Sequence, residues 1–152
     1  MKLFGLIGED EGQRRDVLLR LVEELSKRKI KVATLHEAPL GFDPDKPGKD
    51  SYEHRKAGAS EVLLMAPHLS ALMHENAGRP SASVEQLARS MTGADLVLVD
   101  GFSNSPHPKA RVGKPACATG CDASVIATID PTGLDVVALT DLALARAQEV
   151  SR

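Results

Sequence analysis

Between residues 2 and 35 the chain runs strand, loop, helix, strand, and that order limits the fold more than any other feature of the sequence. Lys2–Ile7 is a short apolar run that ends at Gly8 and an acidic loop, Glu9-Asp10-Glu11-Gly12. Val17, Leu18, Leu21, Val22 and Leu25 then recur at helical spacing and line one face. Lys27, Arg28 and Lys29 close the helix, where cations suit the negative end of its dipole. Ile30–Leu35 reads as the next strand, with β-branched Val32 and Thr34. A strand, helix and strand in this order form the βαβ unit of a parallel sheet. The expectation is an α/β fold of the P-loop type, a mostly parallel sheet with helices on both faces.

The rest of the chain reads as a continuation of one domain, residues 1–152, with no repeat, linker or second core. Pro39–Gly48 is loop, Ser51–Ala59 a helix, and Glu61–Ala66 and Ser70–Met73 candidate strands. Val84–Ser90 is a short helix. Leu96-Val97-Leu98-Val99, bounded by Asp95 and Asp100, has the pattern of a strand buried on both faces. Val125–Ile129 and Val136–Leu139 are further candidate strands, and Thr140–Val150 a final helix opened by a Thr or Asp cap.

Several function classes fall away on composition. Aromatic residues make up 3% of the chain and Trp is absent, so there is no platform for stacking bases. A net charge of -2 supplies no basic stripe for a phosphate backbone, and nucleic acid is not an expected partner. No apolar run approaches the roughly 20 residues that cross a bilayer, and the start of the chain lacks a signal-peptide core. A cytoplasmic protein, away from membranes, is expected. Cys117 and Cys121 alone do not make a four-ligand zinc site, and both are read as reduced thiols.

The loop after the first strand sits where a P-loop protein carries Gly-x-x-x-x-Gly-Lys-Ser/Thr. That motif turns backbone N–H groups toward phosphates, sets a Lys on the β/γ-phosphates, and offers a hydroxyl to Mg²⁺. Here the segment is Gly8-Glu9-Asp10-Glu11-Gly12-Gln13-Arg14-Arg15. Gly8 is in register and Gly12 is one place early. Gln13 takes the second glycine position, Arg14 that of the Lys, and Arg15 that of the hydroxyl. Glu9, Asp10 and Glu11 place carboxylates at the helix N-terminus, the spot that otherwise attracts an anion. The reading is an acid-capped helix start with a degenerate nucleotide loop. Asp100 stands at the end of an apolar strand, the place of an acid that holds Mg²⁺, and equally an ordinary strand-end polar residue.

Downstream, Phe42-Asp43-Pro44-Asp45-Lys46-Pro47-Gly48-Lys49-Asp50-Ser51-Tyr52-Glu53-His54-Arg55-Lys56-Ala57-Gly58-Ala59 is long and chemically unusual. Ala71-Leu72-Met73-His74-Glu75, Asp95–Phe102 and Pro106-His107-Pro108-Lys109 follow in order. Together these segments resemble the MobB family of molybdopterin-guanine dinucleotide biosynthesis, over residues 2 to 112. The family usually has Glu at the place of Asp100. It also usually carries a Lys-His-x-His-His-like run where this chain has His36-Glu37-Ala38-Pro39-Leu40. The resemblance implies a homodimer that assists a MobA-type guanylyltransferase or a molybdoenzyme, and a weak GTPase. GTP with Mg²⁺, and molybdopterin or molybdopterin-guanine dinucleotide, are the implied ligands.

Read from the residues alone, Lys46, Lys49, Arg55 and Lys56 gather positive charge at a Gly/Pro turn, with Asp50 and Ser51 as cap and backbone donors for an anion. The alternative is a solvated face of internal pairs such as Glu53 with Lys56 or Arg55 with Asp50. Lys109 either points a cation toward the Asp100 crevice or lies on the surface. The leading expectation is a maturation protein that binds cofactor phosphates at the basic turn without efficient turnover. An active GTPase built on Arg14 and Asp100, and an interaction module outside the pathway, are the alternatives.

Overall fold

A computed structural model describes residues 1–76, 82–114 and 122–151. Along the chain the elements are β1 (Lys2–Ile7), α1 (Glu11–Lys27), β2 (Val32–His36), α2 (Asp50–Lys56), β3 (Glu61–Ala66), β4 (Leu69–His74), α3 (Val84–Arg89), β5 (Leu96–Asp100), β6 (Lys109–Val112), β7 (Val125–Ile129), α4 (Val136–Arg146) and β8 (Gln148–Glu149). They gather into two compact units, Met1–Glu37 with Ala82–Arg152, and Ala38–Ser81.

In the first unit five strands run parallel in the order β2-β5-β1-β6-β7, and β8 pairs antiparallel with β1. Strand periodicity sends alternate side chains to opposite faces. Phe4, Leu6, Leu96 and Leu98 pack against Val17, Leu21 and Leu25 of α1 and Leu139 and Ala143 of α4. Leu3, Val97 and Val99 face the other way, onto Val84 and Ala88 of α3. Helices therefore cover both faces, and every residue of β5 is buried. Each fully buried Leu or Val contributes about 1.5–3 kcal/mol of transfer free energy, so these two mostly aliphatic layers carry the fold with Phe4 as their one fully buried aromatic among the described residues.

Three stretches depart from the sequence expectation. The final helix, expected over Thr140–Val150, stops at Arg146, and Gln148–Glu149 leaves it to pair with β1 as β8. Val136–Leu139 is not a strand; it is the first turn of α4, which begins four residues before Thr140. The β-branched pair Val136-Val137 mimics a strand. Asp135, however, caps the helix, its Oδ1 accepting from Ala138 N at 3.0 Å, and an Ala/Leu-rich run follows. β6 was not expected. Its alternation Lys109-Ala110-Arg111-Val112 is short and half charged, yet Ala110 and Val112 enter the core.

The second unit holds α2 and a separate two-stranded antiparallel sheet, β3-β4. Leu63 faces Leu72 across the pair, and Val62 faces Met73. Val62 is buried, whereas Leu63, Leu64, Met65, Leu69 and Leu72 are exposed. Among the described residues no helix is long and apolar enough to cross a membrane.

Candidate functional site

The Gly8–Arg15 segment lies in the first unit, at the carboxyl ends of β1, β2 and β5, where parallel sheets place their crevice. Asp10 is the N-cap of α1, and its Oδ1 accepts from Gln13 N at 2.9 Å. A carboxylate thus occupies a donor that a phosphate would use. Gly8 is kept for packing: a Cβ there would meet the carbonyl oxygen of Val112 at 2.5 Å. Gly12 lies within α1. Arg15 is exposed, with a loose ion pair to Asp16 at 3.5 Å.

Arg14 turns inward. Its Nε donates to Asp100 Oδ1 and its second nitrogen to the carbonyl of Gly8 at 2.7 Å. Asp100 Oδ2 lies 2.7 Å from His36 Nδ1. The parallel register sets Leu6 and His36 level with Asp100, so the ends of three adjacent strands meet there. The side chain of Asp100 is 5% exposed and that of Arg14 13%, while His36 is half exposed. The fold type implies Mg²⁺ with a nucleoside triphosphate at such a loop. The residues present do not fit that pair: both carboxylate oxygens are engaged by cation-bearing side chains or imidazole, and an arginine replaces the hydroxyl ligand. Among the described residues no group of three or more His, Cys, Asp or Glu side chains is arranged to hold a metal.

Behind Asp100 the chain turns sharply. Gly101 has φ +93°, and a Cβ there would lie 2.8 Å from Glu37 Oε2. Phe102 also has positive φ, at 51°, and its N–H donates to the same Glu37 oxygen at 2.6 Å. Sequence reasoning gave Glu37 no role of its own; it stood only within the His36–Leu40 run that departs from the family pattern, one residue beyond the end of β2.

Lys109 does not point into the crevice and is not on the surface. It is fully buried, and Nζ donates to the carbonyls of Ser103, at 2.9 Å, and Ser105. Asp122 Oδ2 lies 3.6 Å away. Desolvation lowers the Lys109 pKa against the pull of Asp122, and the hydrogen bonds that Asp122 accepts from Ser124 hold its own pKa down. His107, also fully buried, packs on Gly5; its Nδ1 lies 2.9 Å from Ser105 Oγ, and Nε2 has no partner among the described residues. Burial first, then the Lys109 charge, lowers its pKa to about 4.

The basic turn lies in the second unit. Lys49 is the N-cap of α2, with no side-chain cap bond, and Ser51 is buried; the expected Asp50/Ser51 cap is not formed. Arg55 does not pair with Asp50. It donates to Glu75 Oε1 at 2.6 Å and Asp43 Oδ1 at 3.3 Å. These carboxylates raise its pKa, Glu75 foremost, while Asp43 is held low mainly by the backbone N–H of Asp45 and then by Arg55. Lys56 Nζ sits 5.3 Å from the centre of the Tyr52 ring. Asp43, Tyr52, Arg55, Lys56, Ser60 and Glu75 line an open hollow of about 540 Å³. Lys46 and Lys49 are exposed and lie outside that lining, with no ion pair to a described residue. Cys117 and Cys121 lie outside the described residues.

Comparison with known proteins adds the family. A "molybdopterin-guanine dinucleotide biosynthesis adapter protein" of Haemophilus influenzae is 35% identical over 109 residues, 70% of this chain and 60% of that protein. One of Escherichia coli, with the same description, is 37% identical over 95 residues, 61% of this chain and 54% of its own. The chain thus spans less than two thirds of the length of these curated relatives. The crystal structure of a molybdopterin-guanine biosynthesis protein B matches with a TM-score of 0.69 at 16% identity, covering 94% of this chain and 98% of the other. That of Bacillus subtilis MobB matches with a TM-score of 0.65 at 18% identity, covering 97% and 99%. At such identity these two establish the fold. The model of the family described as molybdopterin guanine dinucleotide synthesis protein B matches residues 3–131, and the chain belongs to that family.

Proposed function

We propose that the chain is a binding or adapter component of molybdopterin-guanine dinucleotide maturation, holding phosphates of the cofactor or of a guanine nucleotide without efficient GTP turnover. The observation that carries this reading is the state of Asp100, whose two oxygens are bound by Arg14 and His36. A phosphoryl-transfer site needs that carboxylate for Mg²⁺. The anion then falls to the turn at Lys46 and Lys49, beside Asp50, Ser51 and Arg55, because those two lysines carry exposed ammonium groups with no ion pair to a described residue. Lys109, whose charge is satisfied within its own loop, is not part of that surface.

The partners that fit are a second copy of the chain and a MobA-type guanylyltransferase or the molybdoenzyme, in the cytoplasm. The exposed apolar strands β3 and β4 support the second copy. A lone two-stranded hairpin is marginal in water, and Leu63, Met65 and Leu72 leave one of its faces uncovered.

Calorimetric titration with GDP, without metal, tests the anion site. Lys49→Ala with Arg55→Ala is expected to weaken binding about ten-fold or more, and Arg14→Ala to leave it nearly unchanged. Lys46→Ala with Lys49→Ala, which spares the Arg55 ion pairs, should act in the same direction. Equal, negligible effects from all three would discard the proposal. Measurable phosphate release from Mg²⁺–GTP would favour the active GTPase instead.

A further inference from the structure

We propose that Arg14 is the resident cation of Asp100, a built-in latch that keeps a divalent metal out of the crevice. The inference rests on reading this loop as a closed nucleotide site, and it names the contact that closes it. Three observations lead there. Asp100 is a nearly buried carboxylate at the end of a wholly buried strand, and such a group needs a counter-charge. Arg14 supplies it from the first turn of α1, at the position where a P-loop protein has its lysine. The guanidinium is then fastened at its far side to the Gly8 carbonyl, so it bridges the ends of β1 and β5.

The choice of residue matters. A lysine on a flexible stem can turn to a phosphate and leave the acid to the metal, whereas the planar guanidinium makes two directed bonds and stays charged at any physiological pH. A divalent ion approaching Asp100 must displace Arg14 and meet its charge. His36 holds the other carboxylate oxygen and presents an imidazole nitrogen there. Carboxylate and imidazole are ligand types that Mn²⁺ accepts. Removing the arginine therefore uncovers a weak metal site made of Asp100 and His36.

The test uses Mn²⁺ alone on the full chain, read by loss of the free-ion electron paramagnetic resonance signal. Arg14→Ala and Arg14→Gln are expected to bind one Mn²⁺ about ten-fold or more tighter than the unaltered protein. Adding Asp100→Asn should abolish that gain. Arg14→Gln covers the case in which the alanine variant leaves Asp100 too exposed to fold, because an amide still reaches the carboxylate. Bound metal should also raise the melting temperature of either variant as its concentration rises.

Equal Mn²⁺ affinity with and without Arg14 would overturn the proposal. So would tight binding by the unaltered protein, or failure of both variants to fold in millimolar Mn²⁺. No nucleotide enters the experiment, so its failure leaves the anion site at Lys46 and Lys49 standing, and failure of the GDP titration leaves the latch standing.

Discussion

His107 makes the stability of the first unit depend on pH in a defined window. The ring is fully buried against Gly5, Nε2 lacks a partner among the described residues, and Nδ1 is tied to Ser105 Oγ at 2.9 Å. Protonation would place a charge in that space beside Lys109, and the carboxylates of Glu85 and Asp122 offset it only in part. The folded chain accordingly takes the proton near pH 4, whereas the unfolded chain takes it near 6.5. Because the folded value is the lower one, the unfolded state binds more protons between the two. Stability contributed by neutral His107 is full above about pH 6.5, falls as the pH drops, and is gone below about pH 4.

The whole displacement corresponds to about 3 kcal/mol, of which about 2 kcal/mol is lost between pH 7 and pH 5. Urea unfolding followed by circular dichroism at several pH values between about 7 and 4 measures it, with His107→Asn as the reference. The variant keeps a polar side chain beside Ser105 and removes the titration. Its stability should fall less steeply with acid by about 2 kcal/mol between pH 7 and pH 5, whatever its value at neutral pH. Identical pH slopes for the two proteins would refute the argument.

Gly5→Ala should destabilise the chain by about 1–3 kcal/mol in the same urea assay, because the new methyl would lie 2.4 Å from His107 Nε2 and 2.9 Å from Lys109 Cβ, both on fully buried side chains. A change near zero would mean that the loop between β5 and β6 shifts freely. On the proposed pairing of two copies, Leu63→Lys with Leu72→Lys, which charges two neighbours on one face of the hairpin, should give a monomer in sedimentation equilibrium where the unaltered chain gives a dimer. An unchanged mass would remove that face from the interface.

What the sequence disclosed and what it hid separate along physical lines. The parallel sheet was legible because helical spacing from Val17 to Leu25 and the apolar run from Leu96 to Val99 are local patterns, and local patterns fix local structure. The departure of Gln13, Arg14 and Arg15 from the phosphate-loop pattern was legible because each position has a fixed offset from Gly8. The partners of the replacements were not. Nothing local joins Arg14 to Asp100, 86 positions away, or His36 to Asp100, 64 away; strand order brings them together. Lys109 shows the same limit more sharply. A lysine between Pro108 and Ala110 reads as surface or site, and only the fold reveals two carbonyls waiting for its ammonium. At Arg55 the charge cluster was visible, but its neutralisation by Asp43 and Glu75 depended on contacts across 12 and 20 positions.

The Asp10 cap bears on what a simple exchange of side chains could do to this loop. A lysine at 14 and a threonine at 15 would supply two letters of the phosphate-binding motif. The Asp10 carboxylate would still hold the amide of residue 13, and the helix would still begin at Glu11. Freeing that amide for a phosphate means giving up the cap, at a cost of about 1 kcal/mol, before any ligand replaces it. Exchanging those two side chains alone would therefore leave the helix start closed to an anion, because the cap has to go as well.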